Sequence, residues 1–121
     1  MLLVDAANVI GSRPTGWWRD RAGAARTFVA QVRAAVASGR ITESVVIVLE
    51  GGARPGAPVG LAGGVAVHHA DNSGDELLVD TVAKAPDQHI TLVSADRELG
   101  RRAQALGAEV VGPRWLLARL E

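Results

Sequence analysis

The chain has 121 residues, 48% hydrophobic and 21% charged, enough apolar material for one core and too little length for a second domain. It has no cysteine, and its 13 basic residues balance 13 acidic ones. These totals exclude a disordered tail, a disulfide scaffold, thiolate metal sites and a cysteine nucleophile, so any metal must be held by oxygen or imidazole.

In chain order, short and mostly β-branched apolar runs fall at residues 2–4, 45–49, 65–67, 90–93 and 109–111. Runs of this kind suit strands buried on both faces. Helical spacing appears at 22–37, with Ala25, Phe28, Val29, Val32 and Val36 on one stripe and Gly39 as the C-terminal stop. Further helices are expected at 75–84, at 96–106 before Gly107, and at 113–120 with Pro113 in the first turn. Strands alternating with helices predict an α/β fold: a single-domain three-layer α/β/α sandwich with a mainly parallel, five-stranded sheet spanning 1–121. Residues 50–64 carry so many Gly and Pro that they read as one long loop, either functional or mobile. The N-terminal stretch has no basic segment followed by a long apolar run, and no stretch reaches the length of a membrane span. A cytoplasmic protein without membrane contact is the expectation.

In a parallel sheet the functional residues belong at the carboxyl ends of the strands. Asp5 directly follows the first strand, Glu50 the second, and Asp96 comes soon after the strand ending at Val93. Asp75 opens a helix, and at about 100° per residue it lies amid the stripe of Leu78, Val79 and Val82, whereas Asp80 and Lys84 point away. Carboxylates that converge repel by about 4 kcal/mol per pair at ~4 Å and an effective dielectric near 20. A hard divalent cation relieves that repulsion, and an oxygen-only donor set with open water positions suits Mg²⁺ or Mn²⁺. Such an ion activates water for attack on a phosphodiester.

The stretches Val4-Asp5-Ala6-Ala7-Asn8-Val9-Ile10, Ser73-Gly74-Asp75-Glu76-Leu77-Leu78 and Val93-Ser94-Ala95-Asp96-Arg97-Glu98-Leu99 occur in this order along the chain. Together they resemble the PIN-like nuclease superfamily, and within it the NYN domain of the YacP type. The resemblance runs from about Met1 to Trp115. It implies that Asp5, Asp75 and Asp96 are catalytic metal-site carboxylates, and that Asn8 orients Asp5 or a substrate phosphate. It also places Glu50 where the family often carries an acidic residue after the second strand. The chain has Ala6-Ala7 where that branch commonly has Gly-Tyr, and Gly74 where it has Ala.

Several of these residues have a plainer reading. Asp5 and Asn8 also suit a turn leaving a strand, and Asp96 suits a helix N-cap. Ser73 and Glu76 match a capping box, to which Glu76 is assigned. His68 and His69 point to opposite faces of an extended chain and, with His89, read as surface or packed histidines. Six arginines between Arg13 and Arg40 face only Asp20, and Trp17-Trp18 lies among them. Indoles can stack bases while guanidinium groups hold phosphates, so Arg13, Trp17, Arg19 and Arg97 join Asn8 as substrate-binding candidates.

The expected function is a metal-dependent nuclease that hydrolyses phosphodiester bonds, in RNA before structured DNA. Asp5, Asp75, Asp96 and Glu50 would hold Mg²⁺ or Mn²⁺. Two other functions stay open: an RNA-binding or protein-interaction domain of the same fold without turnover, and a phosphohydrolase of nucleoside triphosphates. A homodimer and an antitoxin-like protein partner also stay open.

Overall fold

The computed structural model describes residues 1–121. Strand β1 (Leu2–Asp5) runs straight into the short helix α1 (Ala6–Gly11), and after a turn and a 3-10 segment at Trp17–Arg19 the long helix α2 (Arg21–Ala37) follows. Then come β2 (Val45–Leu49), β3 (Gly60–Ala62), β4 (Val65–His69), α3 (Gly74–Ala83), β5 (Thr91–Val93), α4 (Arg97–Ala105), β6 (Glu109–Val111) and α5 (Pro113–Leu117). Asp20 starts α2 by accepting from the Gly23 N–H at 2.9 Å, and Gly39, at φ 79, turns the chain out of its end.

The sheet has six strands in the order β3-β4-β2-β1-β5-β6, all parallel except β3. The expected count of five is therefore one short. The extra strand pairs antiparallel with β4 across the Gly63-Gly64 turn, both glycines at positive φ, inside the stretch read as a loop. That stretch is held in place rather than loose. Residues Gly51–Gly56 form a 3-10 segment packed on α2, so closely that a Cβ on Gly56 would lie 2.4 Å from the Ala22 carbonyl oxygen. The expected helices are present, but α1 was hidden in the sequence because it is too short to show periodicity.

Alternation along the strands divides the core in two. Leu2, Val4, Ile47 and Leu49 pack under α1, α2 and α5 with Phe28, Val29 and Leu116, while Leu3, Val48 and Leu92 pack under α3 and α4 with Leu78, Val82 and Leu99. The connection from β1 leads toward β2, and that from β5 leads the opposite way, toward β6. The point where the direction of winding reverses thus lies between β1 and β5, and the crevice beyond their carboxyl ends is where such sheets bind ligands.

Candidate active site

Asp5 ends β1 at that crevice and is buried, 6% exposed. Its carboxylate is held from both sides. Oδ1 accepts from the Asn8 N–H at 3.4 Å, which caps α1, and Oδ2 accepts from the Ser94 hydroxyl at 2.8 Å. Ser94, the first residue past β5, also accepts from the Asp96 N–H at 3.1 Å. The Asn8 side chain spans the same crevice, its Oδ1 accepting from the Ala95 N–H at 2.8 Å. Asp5 and Asn8 therefore shape the turn, as their plainer reading holds, and in doing so bind the end of β1 to the loop after β5.

Glu50 follows β2, the strand on the other side of β1, and is half-buried. Its Oε2 accepts from the Gly74 N–H at 2.7 Å, in the first turn of α3. This contact ties the start of α3, next to Asp75, to the end of β2. It also replaces the expected capping box: Ser73 makes no side-chain cap, and Glu76 instead forms an exposed pair with Arg102 at 2.9 and 3.2 Å. A neighbouring strand supplied the acceptor for the α3 N-terminus, so the local pattern was not needed. Gly74 has room for the alanine common in the resembling family, since a Cβ there would meet nothing nearer than Val48 at 3.5 Å.

Burial pushes the Asp5 carboxyl from its ordinary 3.8 up to about 6; the Ser94 and Asn8 hydrogen bonds pull it down, and the charges of Glu50 and Asp75 raise it further. Glu50 and Asp75 are thus near enough for their charges to act on Asp5. Asp96 stands at the rim, half-buried, its Oδ1 capping α4 through the Leu99 N–H at 3.1 Å. It reaches Asp5 only through Ser94. No three of these side chains, as they stand, surround a single point as ligands of one ion would. Their chemistry nevertheless fits a hard divalent cation: all are oxygen donors, Asp75 makes no ion pair or capping bond, and Glu50 keeps Oε1 free of protein hydrogen bonds.

A cleft of about 410 Å³ opens beside Glu50, walled by Ile10, Trp17, Arg21, Asn72 and Ser73. Gly16, at φ 71, turns the chain so that the Trp17 ring lies against the end of α1 near Gly11. The Arg21 guanidinium sits 5.6 Å from the Trp17 ring centre on this wall, while Arg19, 5.8 Å from the exposed Trp18 ring, lies outside the cleft's lining. Arg97 lies on the opposite side of Asp5, in a shallower hollow with Ser94, Asp96 and Arg101. Arg13 is farther out, in a separate cavity behind Trp17. His69 is packed, its Nε2 2.7 Å from the Ala57 carbonyl oxygen, and His89 is exposed near Glu109.

One residue that matters here escaped the sequence reading: Ser94 lay within a quoted motif but carried no charge to single it out.

No protein-family model and no curated protein matches the sequence. Solved structures do match. The crystal structure of Rae1 (YacP) from Bacillus subtilis aligns with a TM-score of 0.66 at 20% identity, over 99% of this chain and 72% of that one. A point mutant of the same protein aligns with a TM-score of 0.69 at 19% identity, over 98% and 72%. The chain therefore shares its fold with Rae1 (YacP), and its sheet has one strand more than the five expected.

Proposed function

We propose that the protein is a metal-dependent nuclease acting on RNA, with Asp5, Glu50 and Asp75 as the carboxylates that would hold Mg²⁺ or Mn²⁺ and Asp96 completing the site at its rim. The observation that carries this reading is the buried Asp5 at the winding reversal of the sheet, its carboxyl raised to about 6 partly by the neighbouring charges of Glu50 and Asp75. A stable fold does not need such an arrangement, and perturbed acids gathered in a crevice mark functional sites. The ion, when bound, supplies positive charge that polarises the phosphodiester and makes water nucleophilic at neutral pH.

The chain's own groups do the rest. Ser94 and the Asn8 N–H fix the orientation of the Asp5 carboxylate, and Glu50 fixes Asp75 by anchoring the start of α3. Trp17 and Arg21 line the cleft beside Glu50, where stacking and phosphate contacts suit a single strand, and Arg19 beside the exposed Trp18 adds a cation next to it in sequence. No helix is long and apolar enough to cross a membrane, in keeping with action on RNA in the cytoplasm. The test is cleavage of labelled RNA and DNA oligonucleotides with and without Mn²⁺. Cleavage should require the ion, favour RNA, and fall by at least about a hundredfold in Asp5→Asn. Undiminished cleavage by that variant would remove the assignment.

A second reading, an RNA-binding domain without turnover, draws on the Asp96 carboxylate being committed to the α4 cap and on the carboxylates standing apart. Calorimetric titration with Mn²⁺ separates the two, because only the nuclease should bind the ion.

A further inference from the structure

Behind Trp17 lies a second cavity of about 350 Å³ between α1 and α2, lined also by Leu117 of α5. Three residues, Ile10, Trp17 and Ala24, line both this cavity and the cleft beside Glu50, so a single thin wall separates the two. We propose that the cavity receives one unstacked nucleobase of a single-stranded RNA whose backbone passes the Asp5–Glu50 edge. This rests on the nuclease reading above and adds to it a defined base subsite with its own reading residues.

Four features support this occupant. The floor is apolar and partly aromatic: the half-buried Trp17 indole offers a flat face to a ring, with Phe28 and Val9 buried beneath it. The rim is polar: Thr27 and Gln31 stand one turn apart on α2, where an amide and a hydroxyl can pair with a base edge, and Arg13, two residues past α1, lines the same cavity with Asp20. The volume lies at the small end of ligand pockets, suited to one ring system rather than to an extended chain. Finally, Ile10 is five residues along from Asp5, about 7.5 Å of helical rise, so a base held at this wall belongs to a nucleotide one or two positions from the bond at Asp5. The excess of arginine between Arg13 and Arg40 supplies the charge that draws the backbone alongside.

The test uses single-stranded RNA with one abasic nucleotide at its centre, beside the intact strand. Binding is read in chelator by quenching of tryptophan fluorescence, and cleavage is mapped in Mn²⁺. With the intact protein, the bond at one fixed offset from the abasic position should be cut about tenfold more slowly than the others, and a short strand lacking that base should bind about tenfold more weakly. Thr27→Phe, which fills the cavity, should erase the offset pattern, and the milder Gln31→Ala should weaken it if the larger side chain disturbs folding. Equal cutting at every bond, with RNA cleavage otherwise intact, would overturn the base subsite and leave the nuclease reading standing. Failure to bind or cut any RNA would overturn both.

Discussion

The Ser94 hydroxyl donates to Asp5 across the winding reversal of the sheet, joining the end of β1 to the first residue past β5 through a 2.8 Å hydrogen bond. Because Ser94 also accepts from the Asp96 N–H, one small hydroxyl connects the buried acid to the rim of the site. Its bond favours the charged form of Asp5. In Ser94→Ala the Asp5 carboxyl should therefore climb further above 6, and the acid limb of the cleavage profile should move to higher pH while folding is retained. An NMR titration of the Asp5 carboxyl carbon checks the shift independently of activity.

Asp5 itself should cost the fold stability. Its carboxyl ionises near 3.8 in an ordinary setting and near 6 in the native protein. The folded state thus holds the extra proton between those values, so stability falls as pH rises from about 4 to 6 and stays at the lower level above that. The separation corresponds to at most about 3 kcal/mol. Asp5→Asn removes the charge and keeps one acceptor, enough for the Asn8 N–H if the new amide donates to the Ser94 oxygen instead, so in chelator it should be more stable than the native sequence by up to about 2 kcal/mol at pH 8, with the gap closing near pH 4. Urea denaturation at the two pH values measures it.

The neighbouring carboxylates can be separated by their effects on the same group. Asp75→Asn removes a charge that raises Asp5, so the Asp5 carboxyl should titrate lower without loss of α3. Glu50→Ala removes a charge and also the acceptor for the Gly74 N–H, so it should lower the Asp5 value while costing about 1 kcal/mol of stability. Calorimetric unfolding together with the NMR titration distinguishes the two.

The segment between β2 and β3 should tolerate no side chain at its closest approach to α2. A Cβ on Gly56 would lie 2.7 Å from the Ala25 Cβ and 2.9 Å from the Arg26 nitrogen, besides its clash with the Ala22 carbonyl. Gly56→Ala should destabilise the protein by about 1–3 kcal/mol, whereas Gly74→Ala, which meets only ordinary contacts, should leave the melting temperature nearly unchanged.

How far the sequence reveals the protein depends on the range of the interaction concerned. The buried parallel strands were plain because a strand covered on both faces leaves a continuous apolar run, and 45–49 is such a run, matching β2. Helix α2 was plain from its stripe and from Gly39. Strand β3 was not: Gly60, Leu61 and Ala62 are all exposed at the sheet edge, so no alternation marks them, and only pairing with β4 makes them a strand. The placement of Asp5, Glu50 and Asp75 followed from strand ends and helical phase. The partners that tune them did not, because Ser94 reaches Asp5 over 89 positions and Glu50 reaches Gly74 over 24. Local chemistry likewise suggested that Ser73 and Glu76 would cap α3, and a carboxylate from elsewhere in the fold took that place.

The most direct test of the site is an anomalous-scattering map from a crystal of the protein soaked in Mn²⁺. A peak bounded by the carboxylates of Asp5, Glu50 and Asp75, absent in Asp5→Asn, is the expected result. Mn²⁺-dependent RNA cleavage with no peak at that crevice, or with a peak unaffected by the substitution, would contradict it.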